Sequence, residues 1–254
     1  MHTIHQSLLV VHVICGAILL FLFWLPMLAK KGSPLHVKSG QYFGLLMYFV
    51  TIPGFLMSLL VLWDPVATRG VDITTIGNLD KFLAINRAFA FFLAVLSLLG
   101  FVQLRHAILV LRDGPARTQV RRPQHYVPVV GLLMGGILLL PLGIQFNIPL
   151  FTIFGVISTL SALQTIKFLL AKTVDRSAIL RQHISNMIAC GIAIYTAFTA
   201  FGGRRLFELS WQWELVTWIA PGVIGTIASI IYNRKYTAKK TKAAVNTVAP
   251  TEQA

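Results

Sequence analysis

Apolar runs of about twenty residues recur along almost the whole chain, and they limit its fold more than any other feature. A helix of that length spans roughly 30 Å, the thickness of a bilayer's hydrocarbon core. The composition agrees, since 56% of the residues are hydrophobic and only 12% are charged. We therefore predict an all-α polytopic transmembrane helical bundle of seven spans, at 7–28, 41–63, 82–104, 127–145, 148–170, 184–203 and 214–232.

The spans leave no segment for a separate soluble domain, so residues 1–233 are predicted to form one transmembrane helical domain. Residues 234–254 are basic and polar, and are predicted to form a disordered cytoplasmic tail. Only a short bend at Gln145, Phe146 and Asn147 separates the fourth span from the fifth. This spacing predicts either a tight antiparallel hairpin or one broken element.

The number of Lys and Arg residues is high in every second loop and low in the others. This pattern predicts the orientation of the chain because basic loops stay on the cytoplasmic side. Counting from the first span, every second connection and the C-terminal tail are basic, and together they hold seventeen of the 22 Lys and Arg residues. The opposite connections hold five of the eight acidic residues. An odd number of spans then places the N-terminus outside and the C-terminus inside.

The formal net charge of +14 is a further consequence of these loops. The basic residues are spread over several connections and do not form a recognition helix or an aromatic stacking face, so a nucleic-acid partner is not predicted. The expected partners are the lipid bilayer and, at the cytoplasmic face, anionic lipids.

Pairs of glycines predict where helices pack closely, because a missing side chain lets two backbones approach. Gly40 and Gly44 are four residues apart, as are Gly131 and Gly135. Both pairs are therefore expected at helix interfaces.

Ionisable residues inside a membrane span mark functional sites by default, because they are costly to bury. No Asp or Glu lies in the interior of any predicted span, which argues against a carboxylate proton relay, a two-carboxylate hydrolase and an intramembrane zinc hydrolase. The chain also lacks a phosphate loop, a nucleophile elbow, paired metal-type histidines on one helix turn and a dinucleotide fingerprint. No catalytic residue and no metal site are predicted.

A small set of polar residues falls toward the predicted outer face of the first, third and sixth spans. If these helices adjoin, the set forms an outer pocket that is positive and lacks an internal counter-ion, suited to a phosphate, a carboxylate or a lipid headgroup. The alternative is that the arginine reaches the interface and the histidine bonds a neighbouring helix. The candidates are His12, Asn86, Arg87 and Arg204.

Four histidines on different helices fall near the predicted cytoplasmic surface: His36, His106, His125 and His183. Two facing imidazoles can ligate a b-type haem. Interfacial histidines are also common without any such role. The pattern therefore leaves two interpretations open, haem ligands or surface residues.

Three features of the sequence are typical of one family: His12 followed by Gly16, "KKGSPLHVKSGQYFGLLM" and "LRQHISNM". They carry a resemblance to an uncharacterised bacterial membrane-protein family, domain of unknown function 2306. It implies a polytopic inner-membrane protein with His12, His36, His183 and Arg204 as functional positions. It departs from the family pattern in residues 184–186, which lack the usual basic and tryptophan residues, and it implies no established activity.

Three functions remain as hypotheses. The first is membrane redox work through b-haem, with His36 and His183 as the leading ligand pair. The second is a non-catalytic binder or carrier of a lipid or small anion in the outer pocket. The third is an accessory or scaffold subunit of an unidentified membrane partner, in which the polar residues serve packing and topology.

Overall fold

The computed structural model describes residues 1–203 and 211–248, and this part of the chain is helical without strands. Short 3₁₀ turns at Ile73–Thr75 and Gly114–Ala116 and a π-helical segment at Phe198–Gly203 lie between the longer helices. The α-helices are α1 (His2–Leu22), α2 (Trp24–Leu28), α3 (Pro34–Trp63), α4 (Pro65–Arg69), α5 (Leu79–Asp113), α6 (Pro123–Gln145), α7 (Pro149–Leu170), α8 (Arg176–Ala197) and α9 (Trp211–Val248).

Seven helical segments within the described residues are long and apolar enough to cross a membrane, so the prediction of seven spans is confirmed and the chain is a multi-pass membrane protein. The first segment combines α1 and α2, and it begins at His2, five residues before the predicted start. The third segment extends from Leu79 to Ala116, well past the predicted end at 104. Its helix α5 has 35 residues and is therefore about 52 Å long, which exceeds a bilayer core of roughly 30 Å.

The chain divides into two compact units. The first comprises Met1–Val102 and Tyr126–Lys167, and the second comprises Gln103–His125 and the residues from Phe168 onward. The last helix of the second unit continues to Val248 and so includes most of the basic segment 234–254. Residues 237–248 are rich in Ala and Lys, which are strong helix formers.

In the first unit, α6 and α7 are two helices joined by a short turn, so the hairpin and not the broken element is the observed form of these spans. A β-carbon built on Gly136 would lie 2.8 Å from the backbone nitrogen of Thr159 and 3.0 Å from the carbonyl oxygen of Gly155. One built on Gly143 would lie 2.8 Å from the backbone nitrogen of Thr152. Backbone fits against backbone at both glycines, which explains the close approach of α6 and α7.

The glycines singled out by spacing pack differently. A β-carbon on Gly40 would meet no atom within 4 Å, and one on Gly131 would meet only Leu98, at an ordinary 3.5 Å. On Gly135 it would lie 2.8 Å from the side chain of Val95 on α5. Of these three positions, Gly135 alone has the predicted close contact.

Basic side chains cap the carbonyl ends of helices in the first unit. Lys31 Nζ donates to the carbonyls of Pro26 and Met27, both at 2.8 Å. His36 Nδ1 lies 2.9 Å from the same Pro26 oxygen, and Arg87 Nε donates at 3.2 Å to the carbonyl of Leu62. The last carbonyls of a helix have no partner within it and carry partial negative charge, so cationic donors stabilise these ends.

The second unit uses two arginines in the same way at the end of α7. Arg117 donates to the carbonyls of Phe168 at 2.9 Å and Lys172 at 3.0 Å, and its residue is 2% exposed. Arg121 donates to the carbonyls of Leu169 and Ala171, both at 3.1 Å. Both arginines are among the basic loop residues that predict the orientation. Their hydrogen bonds also hold the α5–α6 connection against the end of α7.

Candidate functional site

His106 on α5 and His125 in the first turn of α6 form a directly bonded pair inside the second unit. His106 Nδ1 lies 3.1 Å from His125 Nε2. The two rings are nearly parallel, 13° apart, with centroids separated by 5.3 Å. Both residues have no exposed surface. We call His106 and His125 the histidine pair.

The connection between the two helices explains why these residues meet. The Asp113 carboxylate accepts hydrogen bonds from the backbone N–H groups of Gln119 and Val120, at 2.5 and 2.8 Å. Gly114 has a φ of +57° and Arg117 a φ of +53°, so the chain turns sharply at both residues. The closed connection returns α6 to the end of α5.

Apolar side chains support the histidine pair from the α7 side. Val110, Val120 and Phe168 belong to one buried cluster. The Phe168 ring meets the His106 ring edge-on, with the planes 89° apart and the centroids at 5.3 Å. This packing orients the His106 ring and excludes water from its face.

The outer nitrogens of the histidine pair have no hydrogen-bond partner among the described residues. They are His106 Nε2 and His125 Nδ1, and both atoms are buried. The Gln182 side chain of α8 lies near the His106 ring, without good hydrogen-bond geometry to Nε2. Arg105 is within electrostatic range of His125. We call His106 Nε2 the Gln182 end of the pair and His125 Nδ1 the Arg105 end, after the residue that interacts with each ring.

The short nitrogen–nitrogen contact couples the protonation of the two rings. A neutral imidazole has one N–H donor and one bare nitrogen, so one ring of the pair donates and the other accepts. If His106 Nδ1 carries the proton, His125 carries its own on Nδ1 and His106 Nε2 is bare. If His125 Nε2 carries the shared proton, His106 carries its own proton on Nε2 and His125 Nδ1 is bare. The two arrangements differ by the position of a proton at opposite ends of the pair.

Bis-imidazole haem ligation does not fit the histidine pair as it stands. An iron between two imidazoles separates their nitrogens by roughly 4 Å, twice a metal–imidazole bond of about 2 Å. The porphyrin plane would also have to pass between the rings. Here the nitrogens are 3.1 Å apart and bonded to each other, and the rings stack. Of the four haem-ligand candidates, His106 and His125 are therefore committed to one another.

His183 and His36 each have a different arrangement, in their separate units. His183 Nδ1 lies 3.0 Å from the carbonyl of Ala107, and His36 Nδ1 lies 2.9 Å from that of Pro26. A carbonyl only accepts, so each Nδ1 carries the proton and each Nε2 keeps its lone pair. Metal-binding histidines commonly have their second nitrogen held in this way. Nowhere in the described chain do three or more His, Cys, Asp or Glu residues form a group able to hold a metal ion.

The structure does not bring the outer-pocket residues of the first unit together. His12 Nδ1 lies 2.8 Å from the carbonyl of Val50, in the middle of α3. Arg87 bonds Leu62, twelve residues further along α3 and thus about 18 Å away along the helix axis. Asn86 Nδ2 donates to the carbonyl of Phe82 in its own helix at 2.8 Å. Arg204 lies outside the described residues.

Sequence reasoning placed His106 and His125 in the same candidate group but did not pair them. The available signal was the short connection between α5 and α6, with one histidine shortly before it and the other just after it. Antiparallel helices joined by a short loop bring such positions to the same level. Comparisons with protein-family models, curated proteins and solved structures find no match to this chain.

Proposed function

We propose that this multi-pass membrane protein conducts protons, and that the histidine pair passes them between α5 and α6. The observation that carries the proposal is the 3.1 Å contact between His106 Nδ1 and His125 Nε2, in a setting without exposed surface. Histidine chains are among the recognised proton relays of pumps and transporters. A buried, bonded pair with both outer nitrogens open is suited to that work.

The proton transfer balances within the pair. A proton that arrives at His106 Nε2 makes that ring an imidazolium. Its Nδ1 proton then passes to His125 Nε2, and His125 releases its own Nδ1 proton. One proton enters, one leaves, and both rings end neutral with their donor positions exchanged. A second passage in the same direction requires both rings to turn over, so we expect slow conduction.

The setting of the pair is part of the proposal. An outside N-terminus and a cytoplasmic position of the pair are supported by the distribution of Lys and Arg among the loops. A bacterial inner membrane is what the family resemblance implies. His106 lies in the part of α5 next to the basic α5–α6 connection, and His125 lies in the first turn of α6 after it.

Replacing His125 with Gln tests the relay. The Gln amide can occupy the position of Nε2 and keep a hydrogen bond to His106, but it does not relay protons. In liposomes with a pH gradient, the parent should conduct protons above the level of empty liposomes, and His125→Gln should fall to that level. His2→Gln is the matched control, because it makes the same substitution at a histidine of the first unit, whose Nδ1 lies 3.1 Å from the carbonyl of Thr68.

Two results would contradict the proposal. The first is that parent liposomes conduct no faster than empty ones under any gradient tested. The second is that His125→Gln conducts as fast as the parent and the control, which would assign the pair a purely structural bond between α5 and α6.

Haem ligation by His36 or His183 is a second candidate function. The observation in its favour is that each ring has its Nδ1–H held by a backbone carbonyl, an arrangement common among metal-binding histidines. Bound haem would supply one-electron redox chemistry. Protein purified after expression with haem supply should then show sharp reduced α and β bands, lost in His36→Ala or in His183→Ala. A spectrum retained in both variants, or a colourless parent, would reject it.

A further inference from the structure

Arg105 lies next to the histidine pair, and one of its N–H donors is buried without an acceptor among the described residues. It precedes His106 on α5, and its Nε is buried without a hydrogen-bond partner among the described residues. An unsatisfied buried donor is costly, and more so when it is charged. A buried charged donor of this kind indicates an absent acceptor.

The described residues around Arg105 supply no balancing negative charge. The ion pair that the described part of the chain contains joins Arg181 and Asp175, at 4.0 Å. The nearest acid along α5 is Asp113, whose carboxylate accepts from two backbone N–H groups of the connection. Arg105 therefore keeps its positive charge without an acidic partner in this part of the chain.

A second buried donor position points to the same ligand. His125 Nδ1 is unpaired, its residue has no exposed surface, and Arg105 interacts electrostatically with its ring. His125 is also the third residue of α6, and the start of a 23-residue helix carries partial positive charge. The N–H donors of Arg105 and His125, the positive charge of Arg105 and the start of α6 all favour an acceptor with negative charge.

We propose that a phosphate-class anion binds at the Arg105 end of the histidine pair, accepting hydrogen bonds from Arg105 Nε–H and His125 Nδ1–H. The anion is either the headgroup of an acidic phospholipid or free phosphate. This inference deepens the proposed function, since it names the partner of the same pair, but binding itself does not depend on proton conduction.

The bound anion would fix the tautomers of the histidine pair. An oxygen acceptor at His125 Nδ1 requires a proton on that nitrogen, so His125 Nε2 becomes the acceptor of the His106 Nδ1–H bond. His106 Nε2 is then bare and ready to receive a proton from the Gln182 end. The anion thereby sets the pair in the one arrangement that accepts a proton at His106.

Binding to purified protein in a neutral detergent tests the site. Inorganic phosphate is titrated by calorimetry. The retention of phosphatidylglycerol is compared with that of phosphatidylcholine by native mass spectrometry. We expect Arg105→Gln to weaken binding at least about tenfold, the effect of one charge-assisted hydrogen bond. Arg112→Gln is the matched control, since it removes the same charge from the exposed face of the same helix. Arg105→Lys, which keeps the charge, is expected to bind between the two and serves if Arg105→Gln does not fold.

The outcomes separate the two sources of the anion. Arg105-dependent retention of phosphatidylglycerol alone supports a lipid headgroup, and Arg105-dependent binding of phosphate alone supports the free anion. The site is overturned if neither ligand binds, or if the Arg105 variants bind as the Arg112→Gln control does. Loss of proton conduction with intact anion binding would reject the proposed function and leave this site standing.

Discussion

Gly136→Ala combined with Gly143→Ala should lower the free energy of unfolding by about 2–4 kcal/mol. Overpacking costs about 1–3 kcal/mol for each site, and the better helix propensity of Ala returns up to about 1 kcal/mol for each. The clashes should lie at the upper end, because the new β-carbons would meet backbone atoms of Thr159, Gly155 and Thr152 that have no rotamer to change. The sites are seven residues apart, so the effects should add.

Gly131→Ala is the control for this double variant. It lies on the same helix, where the added methyl group would meet only the Leu98 side chain at 3.5 Å. It should leave stability unchanged or raise it by up to about 1 kcal/mol. Reversible unfolding in mixed micelles measures all the proteins. Equal stability of the double variant and the control would show that α6 and α7 do not approach through these glycines.

Arg117→Met should lower the free energy of unfolding by about 2–3 kcal/mol. The arginine makes two charge-assisted hydrogen bonds to carbonyls at the end of α7, and such bonds contribute about 1.5–3 kcal/mol each. Removing the cost of burying the charge offsets part of that loss. The variant should also conduct protons more slowly, because the end of α7 carries Phe168, which packs against His106.

Two further variants define the cause of that loss. Arg117→Lys keeps the charge but not the two-pronged donor, so it should fall between the parent and Arg117→Met. Arg112→Met removes an exposed arginine from the same basic segment and should change stability by less than about 0.5 kcal/mol. If Arg117→Met were as stable as Arg112→Met, the contacts with α7 would contribute nothing to the second unit.

The seven spans were predictable because hydropathy over about twenty residues is a strong and local signal. The ends of the helices were less predictable. The third span was ended at 104, where Arg105 begins a basic stretch, yet α5 continues to Asp113. A helix needs no apolar environment once its backbone bonds are made, so polar residues can prolong it beyond the bilayer core.

The role of His36 was partly readable from the sequence. Ser33 and Pro34 predict a helix start, and in the structure Ser33 Oγ accepts from the His36 backbone N–H at 3.3 Å. The partner of its ring, the Pro26 carbonyl, depends on how α2 ends. The same holds for the arginines of the α5–α6 connection. Counting the basic residues of the loops predicts their topological role, but their carbonyl partners depend on the tertiary structure.

The histidine pair was beyond the reach of pattern alone. Its contact depends on the turn closed by Asp113 and on the left-handed backbone at Arg117, and a non-glycine residue does not signal that conformation. The neighbours of His12 are hidden from the sequence for a related reason. Its level along α3 is set by packing against Val50, and the distance from a predicted span boundary does not report this.

The most direct test of the relay is the ¹⁵N spectrum of histidine-labelled protein in detergent, with His106→Asn and His125→Gln used to assign the pair. We predict a coupling across the hydrogen bond between His106 Nδ1 and His125 Nε2. In protein freed of phosphate and acidic lipid, the shifts of both rings should be averaged between the two tautomer arrangements, because a relay must visit both. Two rings without that coupling, or rings fixed in one arrangement at every pH where the protein is folded, would contradict proton transfer through the pair.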